Sequence, residues 1–293
     1  MIITLKNDSL TLAVDTLGAQ MTGLCSSGGT EYLWNGDARY WRGIAPVLFP
    51  FVGRLKDGVH TVDGVKYPMK IHGFASVSEF AVTERTPERV KLTLTDNAAT
   101  HESYPFAFEF SVGYALCGST VEILYRVQNR DEREFSFGLG GHPGFRVPFA
   151  EGTEFCDYAL RFAHPCTPER IGFSDDVLLS GRDTPYPLTD YRTIPLTHTL
   201  FDDDAIFLKN AAREVSLVSA KTHSSLTVSY PGMPYVGFWH KPKTDAPFVC
   251  IEPWLSLPGR HGVIEDFSRR SDLVRLAPGE QHENRWSITI NEG

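Results

Sequence analysis

This 293-residue chain has no apolar run approaching the 18 or so residues that a membrane-crossing helix needs. Its opening, MIITLKNDSL, lacks a basic segment followed by an apolar one, so no leader peptide is expected. Cysteine is scarce: Cys25, Cys117, Cys156, Cys166 and Cys250 are odd in number, widely spaced and without a C-x-x-C pair. That pattern fits reduced thiols in a cytoplasmic protein better than a disulfide framework. Positive charge is also in short supply. A net charge of −8 and a pI near 5.7 argue against nucleic acid and anionic membrane as partners. Nucleophile elbows, P-loops and G-x-G-x-x-G turns are missing, and no His/Cys cluster has metal-ligand spacing. No amphipathic stretch runs beyond two helical turns.

What the chain does have is a period of two. Phe108, Phe110, Val112 and Tyr114 alternate with Glu109, Ser111 and Gly113, and Cys117-Gly118-Ser119 then turns the chain. Val121, Ile123, Tyr125 and Val127 follow, which predicts a hairpin with one apolar face. The same alternation marks Val90-Leu92-Leu94 and Trp286-Ile288-Ile290, and Val62-Asp63-Gly64-Val65 reads as a tight turn. With 19 prolines and 25 glycines for its turns, the chain is predicted to be all-β: a large antiparallel β-sandwich forming one domain over 1–293. Segment 163–200 holds five prolines and reads as a long excursion over one face. Such excursions are more often surface insertions than functional loops.

Three segments set a titratable residue among glycine, proline and aromatics: IHGF at 71–74, GGHPGF at 140–145 and CIEPW at 250–254. A lone histidine in a loop is more often structural than catalytic, so neither His72 nor His142 is decisive alone. Glu252 is more telling. It lies in the run Phe248-Val249-Cys250-Ile251, where a strand normally carries apolar residues, and a buried carboxylate must be paired or shifted in pKa. Arg54 follows the run Pro46–Pro50 and is either a solvated strand end or a donor fork aimed into a cleft. Asp202-Asp203-Asp204 precedes the apolar Ala205–Leu208, and Asp204 is the candidate among the three because it adjoins that stretch.

In this order the segments resemble the aldose 1-epimerase (galactose mutarotase-like) family, most closely its LacX-type branch. The resemblance rests on Leu33-Trp34-Asn35-Gly36-Asp37 with Tyr40-Trp41, PVLFPFVGRLKDG at 46–58, IHGFA at 71–75, GGHPGF and IEPW. The PVLFPFVGRL and HGF blocks stand 16 residues apart. The resemblance implies a β-supersandwich with a sugar in a shallow cleft across a sheet. It further implies interconversion of aldose anomers by acid–base ring opening, with Glu252 as base at O1 and His142 as acid at the ring oxygen. His72 would support that oxygen, while Arg54 and Asp204 would hold ring hydroxyls. Trp239 and Trp254 offer aromatic faces to a sugar or fill the core. No metal or organic cofactor is implied, because proton transfer alone opens the ring.

Two other readings compete. A non-catalytic carbohydrate-binding protein shares such folds, but it can dispense with the acid or the base, and both are present here. An epimerase of hexose 6-phosphates would add basic residues near C6, for which Arg54, Lys241 and Arg260 are candidates. Glycoside hydrolysis normally needs two carboxylates, and only one stands in a convincing motif. The sequence carries no signal for an oligomeric state. Independent groups would titrate near 4.3 and 6.5, which places the alkaline limb of a bell-shaped profile on histidine, raised further by the nearby carboxylate.

Overall fold

The structure, a computed structural model describing residues 1–293, is built almost wholly of strands. Its one α-helix is the single turn Ala98–His101, and no helix is long and apolar enough to cross a membrane. The predicted hairpin forms from Phe108–Cys117 and Thr120–Asn129, paired from Thr120↔Cys117 to Asn129↔Phe108. Its apolar alternation is fully expressed: Phe108, Phe110, Val112, Val121, Ile123 and Val127 are all essentially inaccessible to solvent. Asp63 and Gly64 both take positive φ between Val62 and Val65, giving the two-residue hairpin turn whose twist suits its strands.

Around that hairpin a nine-stranded antiparallel sheet runs from Thr193–Pro195 at one edge to Ala81–Arg85 at the other, with Gln281–Asn291 beside Thr120–Asn129. A second antiparallel sheet of eight strands faces it. Its centre is Phe248–Trp254, flanked by Tyr235–Trp239 on one side and by Gly140–Gly141 and Gly144–Arg146 on the other. The inward faces of both sheets meet in one cluster of 65 buried residues, to which Phe248–Trp254 contributes Val249 and Ile251. At roughly 1.5–3 kcal/mol for each large apolar side chain removed from water, this cluster is the main stabilising element.

The other face of Phe248–Trp254 carries Phe248, Cys250, Glu252 and Trp254, and all seven residues of the strand are buried. A strand covered on both faces reads as a continuous apolar run, which is why Glu252 stands out in the sequence. The excursion at 163–200 is more than a surface insertion. It supplies Thr193–Pro195 to the edge of one sheet and Glu169–Arg170 with Thr184–Pro185 to the edge of the other. Phe173 and Val177 from the same segment reach the cleft described next.

Candidate active site

A cleft of about 720 Å³ opens on the outer face of the eight-stranded sheet. Glu252 reaches it from the central strand. His142 arrives from the adjoining GGHP turn, whose backbone is tied down by the His142 N–H donating to the Pro46 carbonyl at 3.0 Å. His72 comes from a turn docked under the PVLFP segment: the Phe74 and Ala75 N–H groups both donate to the Phe49 carbonyl, at 3.0 and 3.1 Å. That docking dictates the residue at 73. Gly73 takes φ +76°, and a Cβ there would sit 2.2 Å from the Phe49 oxygen. His72 itself is held at φ 64°, an unfavourable region for a side-chain-bearing residue and one enriched at functional sites. The Phe49 ring anchors the assembly, stacked on Phe110 at 4.4 Å between centroids.

At the centre of the cleft, Nε2 of His142 lies 3.3 Å from Oε2 of Glu252. The imidazole is stacked on Trp41 at 4.9 Å and meets Trp239 edge-on at 5.9 Å. His72 stands edge-on to it at 5.5 Å. Burial penalises both charged forms. It raises the Glu252 carboxyl well above its ordinary value, with the Asp204 charge adding to the effect. It lowers His142 well below the usual histidine value, and neighbouring His72 pushes in the same direction. The direction for His142 is opposite to the sequence-based expectation, because loss of solvent around the ring is the largest influence and His72 adds to it. His72 is pushed down to about 4 by burial and then by Arg54. Its Nδ1 accepts the Gly53 N–H at 3.1 Å, so the neutral ring carries its proton on Nε2.

The candidate catalytic and sugar-holding residues all line this cleft: Glu252, His142, His72, Arg54, Asp204, Trp239 and Trp254. Asp204 accepts the Trp239 indole N–H at 3.0 Å, fixing that ring, whereas Asp203 is exposed and outside the lining. Trp254 serves in two places. It is 2 % exposed and packs on Phe207 at 4.1 Å, yet part of it borders the cleft. Arg54 is exposed, forms no ion pair within the protein and lines the cleft, so the strand end that the sequence offers as solvated also borders the site. Arg260 is the exception among the basic candidates. It is committed to Glu265 at 2.9 and 3.1 Å and does not line the cleft.

Sequence reasoning missed Trp41, Lys70 and Cys250. Trp41 was visible as part of a motif, but stacking on His142 depends on contacts across the fold. Lys70 precedes the IHGF segment and shares its turn. Cys250 lies two residues before Glu252, so the period of two already placed both on one face.

A buried carboxylate set against an imidazole, in an aromatic-lined cleft on a sheet face, is a candidate acid–base site in a β-sandwich. The family to which this class belongs follows from comparison with known proteins. The aldose 1-epimerase family matches residues 1–289, and the chain belongs to that family. It is 32% identical to the plasmid-borne protein LacX of Lactococcus lactis, over 99% of both chains. A galactose mutarotase related enzyme from Lactobacillus acidophilus superposes with a TM-score of 0.94 at 32% identity, covering 99% of this chain and 97% of that one. A galactose mutarotase-like protein from Lactobacillus casei gives 0.92 at 28% identity, over 99% and 100%. Carbohydrate epimerisation is therefore the class of chemistry, and a sugar the class of substrate.

Proposed function

We propose that this protein is a mutarotase, interconverting the α and β anomers of a free aldose. The observation that carries the reading is the 3.3 Å approach of His142 to the buried Glu252 inside the cleft of an aldose 1-epimerase family member. Anomer exchange needs one proton acceptor and one proton donor on a single sugar. A pair sharing one proton is both, whichever partner holds it in the empty site.

Glu252 takes the proton from the O1 hydroxyl as the C1–O5 bond breaks, and His142 delivers a proton to O5. The open aldehyde rotates about C1–C2. The O5 hydroxyl then attacks the other face of C1, returning its proton to His142 while Glu252 reprotonates O1. No net proton is consumed. His72, neutral with its proton on Nε2, contributes a hydrogen bond and not a proton. Arg54 and Asp204 hold ring hydroxyls, and Trp239 and Trp254 give apolar surface to the sugar's C–H face. Asp204 is the only other carboxylate lining the cleft, and it is occupied by the Trp239 indole. That speaks against hydrolysis by a carboxylate pair.

A second reading is favoured by one observation. Arg54, Lys70 and Lys241 all line the cleft, are exposed, and have no acidic partner, in a protein whose net charge is −8. Local potential and not net charge governs what a cleft attracts, so a hexose 6-phosphate is the alternative substrate. Polarimetry of freshly dissolved α-glucose, α-galactose and other aldoses, with NMR anomer exchange for their 6-phosphates, tests both. Acceleration of free aldoses supports the first reading. Acceleration confined to 6-phosphates, abolished together in Lys70→Ala and Lys241→Ala, supports the second. Sugar binding without acceleration of either set leaves a carbohydrate-binding protein.

A further inference from the structure

Cys250 has no part in the proton transfers above and does not line the cleft, yet it lies two residues from Glu252 on the same face of the central strand, fully buried. One ligating atom each of Cys250, His142 and Glu252 lies within 4.8 Å of the other two. The donors are a sulfur, an imidazole nitrogen and a carboxylate oxygen. That mixture suits Zn²⁺ and related thiophilic cations and is poorly suited to Mg²⁺ or Ca²⁺, which prefer oxygen alone. An independent observation points to a missing ligand. Oε2 of Glu252, in a residue 1 % exposed, has Nε2 of His142 at 3.3 Å as its polar neighbour but no well-formed hydrogen bond, and Nδ1 of His142 is buried without a partner. Buried polar atoms are normally satisfied, so a carboxylate oxygen that lacks a well-formed hydrogen bond beside an imidazole and a thiol is placed to take a cation.

Charge and enclosure agree with this. A thiolate and a carboxylate together neutralise a dication, so the filled site carries no net charge into its low-dielectric surroundings. Trp34 and Phe248 pack with Cys250, and Trp41 and Trp239 lie against the same cluster. Three protein ligands leave a fourth tetrahedral position for water.

We propose that Cys250, His142 and Glu252 form a binding site for Zn²⁺, and that metal and sugar exclude one another. Binding displaces the thiol proton and the proton shared by the His142–Glu252 pair, both of which pass to solvent. No electron transfer is involved. Because the metal takes both members of the acid–base pair, occupancy shuts off anomer exchange and a chelator restores it. The inhibition rests on the mutarotase reading; the binding rests on the three side chains alone.

The test uses the full chain, freed of any affinity tag and stripped with a chelator, then titrated with Co²⁺ as a spectroscopic probe. A single equivalent should produce a thiolate-to-cobalt charge-transfer band with tetrahedral visible bands, both erased by one equivalent of Zn²⁺. In Cys250→Ala the charge-transfer band should vanish, and Cys250→Ser serves as a second variant should the alanine form fold poorly. In anomer-exchange assays, the Zn²⁺ concentration for half-inhibition should rise at least tenfold in either variant, each read against its own metal-free rate. No thiolate band in the wild type, or a band that survives loss of Cys250, overturns the site. Equal Zn²⁺ sensitivity of wild type and variants overturns the inhibitory role. If no aldose is turned over, the cobalt spectra still decide the binding claim.

Discussion

His142 Nε2 and Glu252 Oε2 stand 3.3 Å apart, and that carboxylate oxygen has no other partner in a strand buried along its whole length. Adding a second proton to this pair means charging an imidazole that burial and His72 already disfavour, so the acid limb of activity falls below histidine's ordinary value of about 6.5. Removing the last proton means ionising a carboxyl that burial and Asp204 hold up, so the alkaline limb rises above the ordinary carboxylate value of about 4.3. The expected profile is a plateau whose acid limb is displaced downward and whose alkaline limb is displaced upward from those ordinary values. The limbs belong to the coupled pair, but their order is set. Residual activity of Glu252→Gln should lose the alkaline limb, and that of His142→Asn the acid limb. The check is NMR anomer exchange from pH 4 to 9 in a buffer that does not itself catalyse mutarotation. Loss of the alkaline limb in His142→Asn would instead show that the resident form is the ion pair.

The same geometry predicts how the two residues combine. Glu252→Gln should slow turnover by roughly 10²–10⁴, about 3–5 kcal/mol of barrier, because it removes the acceptor with little change of shape. His142→Asn should slow it comparably while sugar affinity stays within about tenfold, since proton transfer acts in the transition state. Groups that work as a unit are not additive, so the double variant should be little worse than the more damaging single one. Fully additive losses would separate the two side chains into independent roles.

Gly53 links the second histidine to the fold. It takes φ +69°, and a Cβ would sit 2.4 Å from the Pro258 ring, while its N–H sets the His72 tautomer. Gly53→Ala should therefore lower stability by about 1–3 kcal/mol and reduce kcat in excess of any loss of folded protein. Urea unfolding alongside active-site-normalised kinetics separates the two effects. Unchanged kcat in the folded fraction would remove His72 from the positioning of the sugar.

Much of this molecule is legible in the sequence because its determinants are local. The 108–129 hairpin, the Asp63-Gly64 turn and the two-faced strand at 248–254 follow from a period of two and from turn chemistry. Glu252 is conspicuous because a carboxylate in a run buried on both faces breaks the local rule, and such breaks concentrate at functional sites. What is hidden in the sequence depends on long-range contact. Trp41 meets His142 only because the 41 and 142 turns pack together in the fold. The direction of the His142 shift depends on how completely neighbouring rings exclude water, which spacing cannot convey. The segment 163–200 looks like a surface insertion because its strands are only two or three residues long and pair across distant sequence.

Arg260 shows how an exposed-looking cation can be structural. It donates to Glu265 from its backbone and its guanidinium, and Glu265 is fully buried. Arg270, also buried, donates to Glu265 at 3.1 Å, to Asp272, and to the carbonyls of Leu257 and Pro258 at 2.8 and 2.9 Å. This network holds the 257–259 segment against Gly53 and Arg54, where the Gly259 N–H donates to the Arg54 carbonyl at 2.7 Å. Burial alone would raise the Glu265 carboxyl, but the hydrogen bonds from Arg260 and the charge of Arg270 outweigh it and hold the carboxyl below its usual value. A depressed folded-state pKa stabilises above the unfolded value, near 4.3, and the contribution is lost as pH falls through the folded one. Glu265→Gln should thus cost about 1–3 kcal/mol near pH 7, the scale of hydrogen bonds to a buried charged group, because Arg270 keeps Asp272 and Arg260 is half exposed to solvent. The gap between wild type and variant should close progressively below about pH 4.3. Urea unfolding at pH 7, 5 and 3.5 measures it. A gap that stays constant with pH would mean that Glu265 acts through shape and hydrogen bonding and not through its charge.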